Sequence, residues 1–292
     1  MKDDVSESRN SAPIARVLVI GAGAMGSGIA QVVAEAGLET VLVDADASSL
    51  ERGLEAIGAR WVRAGDTGKR TPDEIASYRE HLRPGAIDDA ATVDLVIEAI
   101  VEKVEAKSQL FATLGSIAPP STLLASNTSS IAITALGRAS GRPDRLAGLH
   151  FFNPVPVLPL VEIVRGLETN ETTIASCVAF AERIGKTPVV VNDAPGFVAN
   201  RILLPMINEA IFTLADGVAS KEAIDEVMKL GMAHPMGPLA LADLIGLDIC
   251  LDILETLHRD FGDDKYRPAP LLRQMVAAGR LGRKSGMGFY GY

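Results

Sequence analysis

The run Val17-Leu18-Val19-Ile20-Gly21-Ala22-Gly23-Ala24-Met25-Gly26 constrains the fold more than any other stretch of the chain. An apolar, β-prone segment passes directly into glycines spaced GxGxxG. Ile29, Val32 and Val33 then recur at helical spacing. Arg16 to Ile20 therefore reads as a buried strand and Gly23 to Ala36 as a helix. The turn between them has specific requirements. Gly21 permits the tight bend, Gly23 lets a pyrophosphate approach the backbone, and Gly26 lets the helix pack close to the strand. The N–H groups at the helix start, from Ala24 and Met25 onward, face the phosphate charge.

A second apolar strand, Glu39 to Asp44, ends on a carboxylate at the distance such a unit requires. An acid there accepts hydrogen bonds from a ribose 2′-hydroxyl and repels a 2′-phosphate, so the spacing points to NAD over NADP. The bland alternative is a tight turn followed by an exposed strand-end aspartate. The strand before the glycines, the helix after them and the position of Asp44 together favour the cofactor.

The same alternation continues. Helices are predicted over Ser48 to Ala64, after Thr71-Pro72-Asp73, and over Lys103 to Leu114. Strands are predicted over Asp94 to Ile97, Leu123 to Ala125, Leu146 to Leu149, Leu160 to Val164 and Pro188 to Val191. Such alternation builds a mainly parallel, Rossmann-like α/β sheet. From Pro195 onward only helices are predicted: Arg201 to Asp216, one capped by Ser220 and closed by Gly231, and a long apolar one over Leu239 to His258. Three segments follow: a flexible polar tail over 1–13, a dinucleotide-binding domain over 14–198, and an all-helical domain over 199–292.

Hydrophobic residues make up 48% of the chain, enough for two cores, and the net charge of −9 excludes a nucleic-acid reader, which needs a basic face. No apolar run is long enough to span a membrane, and the tail lacks the apolar middle of a secretion signal. Cys177 and Cys250 show no pairing pattern and fit a reducing, cytoplasmic setting. The four histidines are scattered without ligand spacing, so no metal is expected.

His150 ends the strand Leu146 to Leu149, where ligands of such sheets bind. Glu162 lies inside the apolar run Leu160-Val161-Glu162-Ile163-Val164, and a carboxylate there is costly unless paired. The proline-rich turn between the two segments can bring them together. A His–Glu pair serves as a general base with its carboxylate orienter, or as a structural hydrogen bond in the core. Local sequence leaves both open. Ser126-Asn127-Thr128-Ser129-Ser130 follows another strand and reads first as a helix cap, with ligand contacts as the second option. Asn200 falls at the domain junction, either as a cleft residue or as a capping one.

Taken together, these blocks resemble the L-3-hydroxyacyl-CoA dehydrogenase family, nearest its bacterial 3-hydroxybutyryl-CoA branch. The resemblance rests on Gly21 to Gly26, Glu98-Ala99-Ile100-Val101-Glu102, Ser126 to Ser130 and His150-Phe151-Phe152-Asn153-Pro154. It continues through Pro195-Gly196-Phe197 with Asn200-Arg201, His234-Pro235-Met236-Gly237-Pro238, and Gly282-Arg283-Lys284-Ser285-Gly286 with Gly288-Phe289-Tyr290. It implies that His150 is the base, Glu162 its partner, and Ser129 and Asn200 ligands of the reacting substrate oxygens. It further implies cofactor contacts by Asp44, Glu102, Lys107, Ser129, Asn153 and Lys284, a CoA contact by Lys69, and a homodimer formed through the helical domain. Val62 stands where the family has a CoA-contacting serine, and Pro159 where a lysine is common. A gulonate-type sugar-acid dehydrogenase and a non-catalytic NAD-binding protein on the same fold are the alternatives. The blocks around Ser129 and His150 favour the acyl-CoA branch.

Overall fold

The computed structural model describes residues 13–292, so the predicted tail, apart from Pro13, lies outside the described residues. The first unit alternates β1 (Arg16–Ile20), α1 (Ala24–Glu35), β2 (Glu39–Val43), α2 (Ala47–Asp66), α3 (Pro72–Glu80), β3 (Leu82–Pro84) and β4 (Leu95–Glu98). It continues with α4 (Val104–Ile117), β5 (Leu123–Ser126), α5 (Ile133–Ser140), β6 (Leu146–Phe151), β7 (Leu160–Arg165), α6 (Glu171–Arg183) and β8 (Thr187–Asn192). These strands form one eight-stranded sheet in the order β3-β2-β1-β4-β5-β6-β7-β8. Strands β1 to β6 run parallel, β7 is antiparallel to β6, and β8 is parallel to β7.

Val17, Leu18, Val19, Leu95, Val96 and Ile97 are all fully buried. Helices cover both faces of a sheet of this kind, which is why its central strands read as continuous apolar runs. Strand order reverses between β1 and β4, so the loops at their carboxyl ends part and leave a crevice for a ligand. Local chemistry sets the helix starts. Asp46 accepts from Ser48 N (3.2 Å) at the head of α2. Thr71 and Glu74 form a reciprocal capping box around Pro72 at the head of α3.

The second unit contains α7 (Ala199–Ala215), α8 (Lys221–Gly231), α9 (Pro238–Ile245), α10 (Leu247–Phe261) and α11 (Pro270–Ala277). Its core gathers Leu204, Ile207, Ile211, Leu239, Leu247, Leu254 and Leu257. Ser220 caps α8 as predicted, accepting from Ala223 N (3.2 Å).

Three features differ from the sequence reading. The units divide after Asp193 rather than after Val198. Gly196 explains this: a Cβ there would lie 2.8 Å from Leu257 Cδ2, so the turn packs with the helical unit. The long helix over Leu239 to His258 is two helices. Gly246, at φ +108°, donates to Ala242 O to close α9 and accepts from Cys250 N to open α10. Finally, α5, α6, α11 and β3 have no counterpart among the elements named from the sequence. The head of α6 is rich in polar and β-branched residues, with Asn170 as its cap, and β3 is a three-residue edge strand ending in Pro84.

Candidate active site

The glycine turn sits at the strand-order reversal. Gly21 has φ +104°, donates to Val43 O (2.8 Å), and would place a Cβ 2.4 Å from Ala99 O. A Cβ on Gly26 would lie 1.7 Å from Gly21 O. Both glycines are thus required by the protein's own packing. Gly23 is different. It is the N-cap of α1 with φ −65°, an ordinary backbone, and a Cβ there would meet nothing within 4 Å. Only an approaching ligand gains from its lack of a side chain. No side chain caps α1, so the N–H groups of Ala24, Met25 and Gly26 are presented by a bare helix terminus. The residues fit a dinucleotide pyrophosphate. Asp44, half-buried after β2, accepts from Ala22 N (2.7 Å) and Asp46 N (3.0 Å), so it also pins the turn.

Next to the turn lies a network of charges at the ends of β4 and β5. Glu98 is fully buried. Its Oε1 accepts from Lys107 Nζ (2.5 Å) and Ile100 N (2.7 Å), and its Oε2 from Ser126 Oγ (2.6 Å). Lys107 also pairs with Glu102 (3.2 Å). Glu102 Oε1 in turn accepts from Thr128 Oγ1, Ser129 N (2.9 Å) and Ser130 N (3.2 Å). Burial pushes the Glu102 carboxyl up. Lys107 and the donors of Thr128 and Ser129 overcome that and hold it below its ordinary range. The end of β5 is therefore tied to β4 through Glu98, and the loop carrying Ser129 to the segment after β4 through Glu102. That loop also meets β6, because Asn127 Oδ1 accepts from Phe151 N (3.0 Å).

The antiparallel step of the sheet places His150 directly opposite Glu162. Nδ1 lies 2.7 Å from Glu162 Oε2, and the residues are 5% and 2% exposed. The ring of Phe152 lies against the imidazole, with centroids 4.6 Å apart. A carboxylate on Nδ1 fixes the tautomer in which Nε2 is basic. The arrangement can take a proton from a hydroxyl and stabilise the resulting cation.

The first unit thus holds the glycine turn, Asp44, Glu102, Lys107, Ser129, His150, Asn153 and Glu162. Asn153 is exposed just beyond β6. Lys69 and Val62 are exposed, on the turn after α2 and on α2 itself, and Pro159 is exposed before β7. The second unit holds Asn200, 9% exposed at the start of α7, and Lys284, whose Nζ pairs with Asp248 (2.6 Å). Sequence reasoning missed the roles of Glu98, Thr128 and Asn127. For Glu98 the signal was present, since it ends an apolar run just as Glu162 interrupts one.

Two family models match the chain: "3-hydroxyacyl-CoA dehydrogenase, NAD binding domain" over residues 16–194 and "3-hydroxyacyl-CoA dehydrogenase, C-terminal domain" over 196–292. A probable 3-hydroxybutyryl-CoA dehydrogenase of Bacillus subtilis is 55% identical over 96% of this chain and 98% of its own length. A 3-hydroxybutyryl-CoA dehydrogenase of Bradyrhizobium diazoefficiens is 50% identical over 97% of each. The crystal structure of (S)-3-hydroxybutyryl-CoA dehydrogenase from Ralstonia eutropha superposes with a TM-score of 0.92 at 48% identity, covering 96% of this chain and 99% of that one.

Proposed function

The chain belongs to the 3-hydroxyacyl-CoA dehydrogenase family, and from that premise we propose that it reversibly oxidises short-chain L-3-hydroxyacyl-CoA, 3-hydroxybutyryl-CoA above all, to the 3-oxoacyl-CoA. It is an NAD-dependent oxidoreductase. The observation that carries the mechanism is the buried His150–Glu162 pair at the carboxyl end of the sheet.

Neutral His150 takes the 3-hydroxyl proton on Nε2. Glu162, hydrogen-bonded to Nδ1, holds the tautomer and stabilises the imidazolium as it forms. Ser129 and Asn200 hydrogen-bond the substrate oxygens, and their contribution is one of orientation. NAD, when bound, supplies the acceptor for the C3 hydrogen with its electron pair. Gly23 and the head of α1 hold its pyrophosphate, Asp44 its adenosine ribose, and Glu102, Lys107, Asn153 and Lys284 complete its contacts. Lys69 reaches toward CoA. In the reverse direction, protonated His150 gives the proton back.

Two further assignments belong to this reading. The chain works as a homodimer through its helical unit, supported by the exposed apolar side chains Ile202, Val227, Leu230 and Met232. It works in the cytoplasm, supported by two buried free cysteines and, among the described residues, by no helix long and apolar enough to cross a membrane.

The decisive experiment compares NADH-linked rates on 3-oxoacyl-CoA substrates from short to long chain with NAD reduction on L-gulonate, using wild type and His150→Ala. The expected result is turnover of acetoacetyl-CoA, none of gulonate, and a kcat lowered by roughly 10²–10⁴ in the variant with NADH binding retained. Near-normal kcat in His150→Ala would remove the histidine from the mechanism.

A further inference from the structure

The segment Phe152 to Pro159 joins the strands that carry His150 and Glu162. Most of it lies at the surface, and Val155 alone is buried. It bears Phe152, whose ring lies against His150, and Asn153, assigned above to the cofactor. An irregular, exposed connector with few apolar contacts opens at low free-energy cost. This one is held from beneath at three points.

Val155 enters the core against α1, where Gly28 makes room for it: a Cβ on Gly28 would lie 2.9 Å from Val155 Cβ. Pro159 O accepts from Thr187 N (2.8 Å) at the start of β8. The third point is Lys186, in the turn between α6 and β8. It is only 8% exposed, and its Nζ donates to Val155 O (2.5 Å) and Leu158 O (2.8 Å). Lysines are rarely buried, because removing an ammonium from water is expensive. Among the described residues no carboxylate lies within ion-pairing distance of this one. What Lys186 gains instead is a pair of charge-assisted hydrogen bonds to carbonyls of the connector. Burial lowers its pKa, against which Glu35, at the end of α1, acts to raise it. A lysine placed only to end α6 would extend into water.

We propose that Lys186 is a positioning residue for the dehydrogenase reaction: it clamps the connector onto α1, fixing Phe152 and Asn153 relative to His150 and the glycine turn. The proposal rests on the reading of the site given above. It couples the cofactor helix to the catalytic pair through backbone carbonyls, without Lys186 touching substrate or cofactor.

Lys186→Met keeps the apolar stem and removes the donors. Melting temperature, NADH Kd by fluorescence, and kcat and KM for acetoacetyl-CoA are measured on variant and wild type well below both melting temperatures. A loosened connector misplaces groups by an ångström or so, which predicts a kcat lower by roughly 10- to 100-fold and an NADH Kd raised about fivefold or more. A lysine that only supports the fold would lower the melting temperature and leave both constants alone. Values within about twofold of wild type in the folded variant overturn the proposal, whatever the melting temperature. If Lys186→Met does not fold, Lys186→Gln is read by the same criteria. If wild type itself fails to turn over acetoacetyl-CoA, the dehydrogenase reading has failed, and NADH Kd still decides the clamp.

Discussion

Glu162→Gln separates the charge of the catalytic pair from its shape. In the native protein the carboxylate lies 2.7 Å from His150 Nδ1, with both residues nearly excluded from water. During alcohol oxidation the imidazole gains a proton, and the positive charge forms about 4 Å from the carboxylate centre. At the effective dielectric of about 20 that describes buried pairs, this attraction is about 4 kcal/mol. The transition state realises between half and all of it, so the loss in Glu162→Gln is about 2–4 kcal/mol. Each 1.36 kcal/mol is tenfold, and kcat should fall roughly 30- to 1000-fold. The ring is neutral before the proton moves, so KM values should stay within about threefold. Stability should change little, because the amide keeps the volume and relieves a buried charge of its desolvation cost. The assay is the appearance of NADH from NAD and L-3-hydroxybutyryl-CoA, with a thermal melt on the same sample. Oxidation is the direction to follow, since in reduction the cation is already present at the start. A folded variant retaining more than about a third of wild-type kcat would refute the electrostatic reasoning. A collapsed melting temperature with an unchanged specific rate would make the pair structural.

Three further substitutions test the cofactor site. Gly23→Ala meets no protein atom within 4 Å at a φ of −65°, so urea denaturation should show stability unchanged or raised by about 0.4–1 kcal/mol. NADH affinity should nonetheless fall at least tenfold, or about 1.4 kcal/mol. Gly26→Ala, whose Cβ would lie 1.7 Å from Gly21 O, should instead lose about 3 kcal/mol of stability or more. Full NADH affinity in Gly23→Ala would reduce the loop to a turn. Asp44→Asn keeps an oxygen for Ala22 N and removes the charge. The ratio of kcat/KM for NADPH over NADH should rise about tenfold, and an unchanged ratio would place the discrimination elsewhere.

The parts of this molecule legible in the sequence are those where one residue type had one physical use. The glycine turn is such a case, since the strand before it and the helix after it leave few other structures. Glu162 is another, because a carboxylate in an apolar run demands a partner. The pairing of His150 with Glu162 was open in the sequence, and the cross-strand register of β6 and β7 supplies it. Other features depended on tertiary contacts that no local pattern carries. The break at Gly246 sits in an unbroken apolar periodicity, where the glycine takes φ +108° between α9 and α10. The division after Asp193 is fixed by Leu257, far along the chain, against Gly196. Lys186 looks like an ordinary surface lysine until the carbonyls of Val155 and Leu158 converge on it.

Glu98 and Glu162 show why the single antiparallel step matters. Each is a buried carboxylate whose removal from water costs several kcal/mol. Glu98 meets a lysine and two further donors at neighbouring strand ends. Lys107 exchanges no proton with substrate, so that attraction is the same before and after the chemical step. It holds Glu102 and, through it, the Ser129 loop in place. Glu162 meets a histidine, and in the reaction proposed above the charge of that histidine appears during the step, so the attraction is largest where the rate is decided. Parallel neighbours do pair at this edge, as Glu98 and Ser126 do where β4 and β5 end, but there both strands pass into loops. Beside the carboxyl end of β6 a parallel strand would also be ending and passing into loop. An antiparallel β7 instead brings its early residues there, rigid and already in register. Reversing one strand therefore sets a buried carboxylate behind the base, with the ladder itself fixing the distance.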